Sequence, residues 1–218
     1  PYSQMTDLGS ATKDSTTVSS ATVSSLGSQK ANYIRNSVKL VIDAYNGDVT
    51  AYVMDWNDPI IQSYNATYPG VFSSEPFPVD LAPQIKYPRK LFEIQANIYK
   101  RYHNTNPLTF YSKSDVWEVA KEKYGENSEM RLIEPYYSVM KDLKQEPQMM
   151  IMLPYTMADK DSNLTAWFAA SSDIEDYGRL MTYMFPKGKH VYGTLQIENK
   201  IDNDPVIAKE LTAMKNDT

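Results

Sequence analysis

The chain has 218 residues, 42% of them hydrophobic, a formal net charge of -5 and no cysteine. Such a length and apolar content suffice to bury a core within one domain. The acidic balance argues against a nucleic-acid partner, whose phosphates need clustered Lys and Arg, and the missing thiols exclude disulfides, thiolate metal sites and a cysteine nucleophile. No apolar run approaches the roughly 20 residues of a membrane-spanning helix; the longest is Met149 to Leu153. The chain opens Pro1-Tyr2-Ser3-Gln4 without an initiator Met, so it is expected to be a piece of a longer polypeptide.

Residues Thr6 to Lys30 are rich in Ser, Thr, Gly and Ala, with Val18, Val23 and Leu26 among the few larger aliphatics. They bury too little apolar surface to offset their ordering entropy. The expectation is a flexible arm over residues 1–32 followed by a single α+β domain over residues 33–218. Val38, Leu40, Ile42 and Ala44 then alternate with polar or larger residues, Asn46-Gly47 follows, and Val49, Ala51 and Val53 alternate again. Asn-Gly is the signature of a two-residue type I′ hairpin. That loop sets Ala44 opposite Val49, Ile42 opposite Ala51 and Leu40 opposite Val53. All these residues share one face, which a sheet covered on that side requires.

Asp58 and Pro59 predict the N-cap and first position of a helix over 59–68, ended by Pro69-Gly70. Pro88 precedes a second helix, 89–102, whose stripe is Leu91, Ile94, Gln95, Ile98 and Tyr102, backed by Phe92 and Tyr99. The segment Asn106 to Asp115 reads as a turn, and Asp115 as the cap of a short helix from Val116 to Tyr124. Four apolar runs follow, at 136–140, 149–153, 164–170 and 180–185, separated by turn residues. They predict an antiparallel sheet with Met149–Leu153 as a central strand covered on both faces. Residues 195–201 fit either a strand or a short helix, and Asp204-Pro205 opens a closing helix over 206–214. The predicted class is α+β: a mainly antiparallel β-sheet with a few packed helices.

The residues that bear chemistry are few. Asp159, Asp161 and Asn163 supply the first oxygens of a calcium loop, but Leu164 and Ala170 stand where Gly and a bidentate Glu are needed, which excludes an EF-hand. Asp173, Glu175 and Asp176 share one turn, and Asp202 and Asp204 another. Acidic loops of this kind either converge on a hard cation or an acid–base pair, or are simply solvated turns. Asp159, Asp161, Asp173 and Asp176 are therefore the metal candidates, and plain turns are the default reading. No catalytic or cofactor-binding residue is predicted, and no cofactor is implied. His103 and His190 lie at no metal spacing, and there is no Gly-x-Ser-x-Gly or glycine-rich phosphate loop. The 17 tyrosines and three tryptophans are either core or, if exposed and coplanar, a stacking surface for sugars.

Several ordered blocks together resemble one family. They include Asn32-Tyr33-Ile34-Arg35-Asn36-Ser37-Val38-Lys39 leading to Asp43-Ala44-Tyr45-Asn46-Gly47, then Asp58-Pro59-Ile60-Ile61, Glu134-Pro135-Tyr136-Tyr137, Met152-Leu153-Pro154-Tyr155-Thr156, Ala166-Trp167-Phe168-Ala169-Ala170, and Gln196-Ile197-Glu198. Their order and spacing look like uncharacterised protein family 0182, large integral membrane proteins of bacteria and archaea. The resemblance implies several transmembrane helices upstream, a parent in the cell membrane, and this piece in a large extracytoplasmic region. Its partners would be the remainder of its own membrane-spanning chain, with an envelope protein or glycan as further candidates. The family has no agreed activity, so no site residues carry over. Thr194 stands where the resemblance implies Pro, and Ala213-Met214 where it implies an aromatic. The leading functional expectation is a non-enzymatic binding or assembly module. The alternative is an envelope enzyme or glycan-binding domain, which requires Asp55, Asp173, Glu175 or Asp202 to converge, or several exposed rings to lie coplanar.

Overall fold

The computed structural model describes residues 34–124, 129–141, 146–158, 160–186 and 188–216. The chain forms two compact units, Pro1–Ile94 and Gln95–Thr218, and each is treated by itself. The arm expected over 1–32 lies outside the described residues. The class is α+β, built from antiparallel strands and helices.

In the first unit, β1 (Val38–Ile42) pairs antiparallel with β2 (Val49–Val53). The register differs from the predicted one by two residues: Val38 faces Val53, Leu40 faces Ala51 and Ile42 faces Val49. The loop is longer than Asn-Gly alone. The Gly47 N–H donates to the Asp43 carbonyl and the Asp43 N–H to the Asp48 carbonyl, both at 2.9 Å. Asp43 Oδ1 accepts the Tyr45 N–H at 2.7 Å and Asn46 Oδ1 the Asp48 N–H at 3.0 Å. Asn46 thus spends its side chain on an Asx turn, and Gly47 alone takes positive φ, at 79°. A two-residue slip preserves which residues share a face.

The face expected to be covered is only partly buried, at Ala51 and Val53. Phe72 bridges to Ala51 and the Ser73 N–H donates to the Ala51 carbonyl at 2.8 Å along the edge of β2, while Tyr52, on the opposite face of the hairpin, meets Phe77 edge to face at 5.3 Å. The returning chain therefore pairs with the edge of β2 and packs on its other face. At the distal end Leu40, Ile42 and Val49 are 63%, 64% and 60% exposed, contrary to the expected burial. Helix α1 (Pro59–Thr67) forms as predicted, capped by Asp58 with Pro59 in its first turn, and buries Ile60 and Ile61.

Helix α2 (Arg89–Tyr102) runs from the first unit into the second. Its buried residues are Phe92 and Ala96, with Tyr99 half-buried, whereas Ile98 and Tyr102 are exposed. The core stripe is thus rotated by about one residue from the predicted one, because its centre is a small residue that a search for large apolar side chains passes over. Ala96 lets the helix approach the sheet closely enough for the Tyr155 hydroxyl to donate to the Ala96 carbonyl at 2.7 Å. Tyr99 stacks on Phe168 with ring centroids 5.0 Å apart.

The second unit continues with α3 (Pro107–Ser112), which Asn106 caps through the Leu108 N–H at 2.9 Å. At six residues it lies below the length that periodicity detects. The helix expected from Val116 to Tyr124 does not form. Trp117 and Val119 both point into the core from β3 (Trp117–Val119), and β4 (Lys121–Tyr124) pairs with β5 (Glu129–Leu132) in a separate ribbon.

The main sheet is antiparallel and centres on β7 (Pro147–Met157). One edge of β7 pairs with β8 (Lys160–Ser171), which in turn pairs with β9 (Leu180–Met184). The other edge is shared: β6 (Tyr136–Lys141) occupies Pro147 to Met152 and β3 occupies Tyr155 to Met157. Pro154 sits between them. Its carbonyl accepts the Ala120 N–H at 3.0 Å, so its nitrogen faces the same edge, where neither neighbour needs a donor. As predicted, β7 is covered on both faces from Met150 to Thr156. Ile151, Leu153 and Tyr155 share the α2 side; Met150 and Met152 pack with Ala169, Trp167, Met181 and Tyr183 on the other. Residues 195–201 fall in α4 (Thr194–Asp202), and α5 (Pro205–Asn216) follows.

Two substitutions on α2 separate the observed stripe from the predicted one. Ala96→Leu forces helix and sheet apart and is expected to cost about 1–3 kcal/mol, whereas Ile98→Ala stays within about 0.5 kcal/mol of wild type. Urea denaturation of each variant measures the difference.

Candidate functional site

The acidic residues were the sequence's candidate chemistry, and the structure distributes them over separate networks. In the first unit, Asp55 pairs with the Arg35 guanidinium at 2.7 Å. Asp58 beside it has no solvent exposure, shielded by its immediate neighbours rather than by depth. It accepts the Ser37 hydroxyl at 2.6 Å and the Ile60 N–H at 2.9 Å. The Ser37 hydrogen bond holds the Asp58 carboxyl below the usual carboxylate range, burial opposes this, and the Ile60 and Ile61 amides and the Arg35 charge reinforce it. This carboxylate joins β1 to the start of α1, and sequence reasoning found only its capping half. Nearby, burial pushes the Lys39 ammonium down to about 8, and Lys39 donates to Asn36 Oδ1 at 3.1 Å.

In the second unit, Asp173 and Asp176 stand at the start and end of one short turn. The Ser172 N–H donates to the Met149 carbonyl at 2.8 Å, and Asp173 Oδ1 accepts the Met149 N–H at 3.3 Å. Asp176 accepts Gln148 Nε2 and pairs with Arg179, each at 3.4 Å. A 3-10 turn, Ile174–Asp176, and Gly178 at φ 81° close the loop back onto β8. Both carboxylates are thereby engaged in joining β8 to β9 and to the start of β7, and Arg179 already supplies a cation. Glu175, on the same turn, is exposed.

Asp202 belongs to another network. Thr194, Glu198 and Asp202 lie at i, i+4 and i+8 on α4, one face of a helix. Thr194 Oγ1 donates to the Lys121 carbonyl at 2.6 Å, Glu198 Oε2 accepts the Lys123 N–H at 2.9 Å, and Asp202 pairs with Lys123 Nζ at 2.9 Å. The stripe sews α4 to β4. Thr194, the position where the resemblance implied Pro, supplies one of the stitches. Asp204 caps α5 through the Val206 and Ile207 amides at 2.9 and 3.1 Å. Of the calcium-like positions, Asp159 lies outside the described residues and Asp161 is placed in β8 by its main chain alone. Asn163 Nδ2 meets His190 Nδ1 at 3.1 Å and Asn163 Oδ1 accepts Gln196 Nε2 at 3.3 Å. Among the described residues no three His, Cys, Asp or Glu side chains form a group able to hold a metal ion.

The aromatic residues divide similarly. His103 stacks on Trp117 with centroids 3.6 Å apart and planes at 15°. Its Nδ1 lies 3.1 Å from the Tyr99 carbonyl, which makes that nitrogen a donor. His103 Nε2 and Trp117 Nε1 are buried without a hydrogen bond among the described residues. No spacing rule in sequence links a helix end to a strand in this way, so the pair was not foreseen. On the opposite sheet face Tyr136 and Trp167 meet at 87°, and a pair set edge to face is not a flat platform for a sugar ring.

The family model for Uncharacterised protein family (UPF0182) matches residues 1–214. A UPF0182 protein of Caldicellulosiruptor saccharolyticus is 49% identical over 182 residues, which is 83% of this chain and 20% of the relative. A UPF0182 protein of Nostoc sp. is 47% identical over 184 residues, 83% of this chain and 18% of the relative. One from Nitrosococcus oceani is 45% identical over 194 residues, 88% of this chain and 22% of the relative. The chain spans about a fifth of the length of these curated relatives. No solved structure matches it.

The Asp58 network predicts an acid limb in the stability profile. A carboxyl whose pKa is depressed on folding contributes stability above its unfolded value, about 4, and loses that contribution as pH falls through the folded value. Asp58→Asn is expected to flatten the loss of stability below about pH 4 relative to wild type, read from melting curves across pH. At the β8–β9 turn, Asp173→Ala leaves the Met149 amide without its acceptor and is expected to cost about 1–2 kcal/mol in chemical denaturation.

Proposed function

Because the chain belongs to uncharacterised protein family UPF0182, whose members have no known function, we propose that it is a binding or assembly module on the extracytoplasmic side of an integral membrane protein, seated on the remainder of its own polypeptide. The observation that carries the reading is the bare distal face of the β1–β2 hairpin. Leu40, Ile42 and Val49 line one face, and Tyr45 projects fully from the loop. A two-stranded hairpin is marginal alone, and each large aliphatic side chain left in water forgoes about 1.5–3 kcal/mol of burial. A surface of this kind suits a docked partner better than it suits solvent. The carboxylates support the same reading. Asp55, Asp58, Asp173, Asp176 and Asp202 are each engaged in holding the fold.

No helix among the described residues is long and apolar enough to cross a membrane, so the proposal assigns the membrane spans to the four-fifths of the parent outside this chain. The compartment is tested by accessibility. A cysteine-free parent carrying Tyr111→Cys, at a position 90% exposed, is treated in intact cells with a membrane-impermeant maleimide. Labelling without permeabilisation is the expected result. Labelling only after permeabilisation places this piece in the cytoplasm and ends the proposal.

A further inference from the structure

Strand β9 leaves one side of its backbone open. The Phe185 N–H donates to the Thr165 carbonyl and the Ser171 N–H to the Arg179 carbonyl, both at 3.0 Å. The residues of β9 that exchange hydrogen bonds with β8 are therefore Met181 and Tyr183, opposite Ala169 and Trp167. By the alternation of an antiparallel ladder, Leu180, Thr182 and Met184 turn their N–H and C=O groups away from β8. Among the described residues no strand pairs with that side. Leu180 and Met184 are exposed.

Natural sheets protect such an edge with a charge, a proline, a bulge or a very short strand. Leu180-Met181-Thr182-Tyr183-Met184 contains no charge and no proline, and its register with β8 is uninterrupted over five residues. The opposite edge differs: it is divided between β3 and β6, and β6 ends on Lys141. An unprotected, apolar, five-residue edge is built to be paired.

We propose that in the parent protein an extended segment from another part of the same polypeptide lies along Leu180–Met184 and adds a sixth strand to this sheet. This rests on the docking reading above and names one place where docking occurs. Size decides the occupant. A strand of five residues presents a contact on the order of a few hundred Å², well short of the roughly 1,200 Å² at which free proteins form stable specific pairs. A tethered segment escapes that limit, because a linker supplies an effective concentration in the millimolar range. The relatives have about four-fifths of their length outside this region from which to supply it. A second copy fits the edge geometrically, since a two-fold axis through Thr182 sets Leu180 against Met184, but its area is too small to hold the pair.

The test is hydrogen exchange read at single residues of the full-length protein in lipid nanodiscs. The amides of Leu180, Thr182 and Met184 are expected to exchange at least roughly 100-fold more slowly than unstructured amides, as Met181 and Tyr183 do, and a tenfold dilution is expected to leave them unchanged. Free exchange at the three outward amides overturns the proposal. So does protection that disappears on dilution, because the occupant is then a second copy. Thr182→Pro in the full-length protein deletes one outward donor and leaves the bonds of Met181 and Tyr183 to β8 in place. It is expected to release Leu180 and Met184 alone; continued protection of those two would also overturn the proposal. Surface labelling at Tyr111 reports separately on the compartment, so an exposed module with an open β9 edge would remove this inference and keep the broader one.

Discussion

The second unit depends on how near α2 comes to β7. The Tyr155 hydroxyl reaches the Ala96 carbonyl at 2.7 Å, and that distance exists only because residue 96 carries a single methyl group. Burial pushes the Tyr155 hydroxyl up, which keeps it a neutral donor. Once the helix is drawn in, Tyr99 can stack on Phe168 and the His103 ring on Trp117. The aromatic layer between helix and sheet is thus set by the smallest side chain in it. A larger residue at 96 would separate the rings before it removed any one of them.

The strength of sequence reading lay in elements announced by local chemistry. Asp58-Pro59 and Asp204-Pro205 marked helix starts, because a short acceptor followed by a residue without an N–H suits a helix N-terminus whatever lies around it. The central strand at Met149–Leu153 was legible because a strand covered on both sides carries apolar residues at consecutive positions, in a run too short for a helix. The same reading failed where the decisive residue was small or the partner distant. Ala96 carries no weight in a search for large apolar stripes. Trp117 and Val119 show a period of two over three residues only, too short to override Asp115 as an apparent cap. The hairpin register slipped because Asn46 had a second use, bonding Asp48, that a turn signature does not anticipate.

The acidic residues were legible as a set but not as networks. Asp173 and Asp176 share a turn, as their spacing in the sequence indicates. Their commitment to Met149, Gln148 and Arg179 was not legible, because those partners sit on strands whose pairing is fixed only in three dimensions. The link between Ser37 and Asp58 spans 21 positions, and the stripe of Thr194, Glu198 and Asp202 finds its partners more than 70 residues upstream. Carboxylates that looked like unassigned chemistry tie together elements remote in sequence.

Pro154 has an effect on strand order that no contact energy records. If β6 slid two residues along β7, its first bonded position would move from Met152 to a residue with no N–H to give, and β3 would meet the same obstacle from the other end. One imino acid therefore acts as a stop for two neighbours at once. Lengthening either β6 or the β3 segment in a relative would be tolerated away from this point and blocked at it, so the division of that edge is held by a missing proton rather than by any bond.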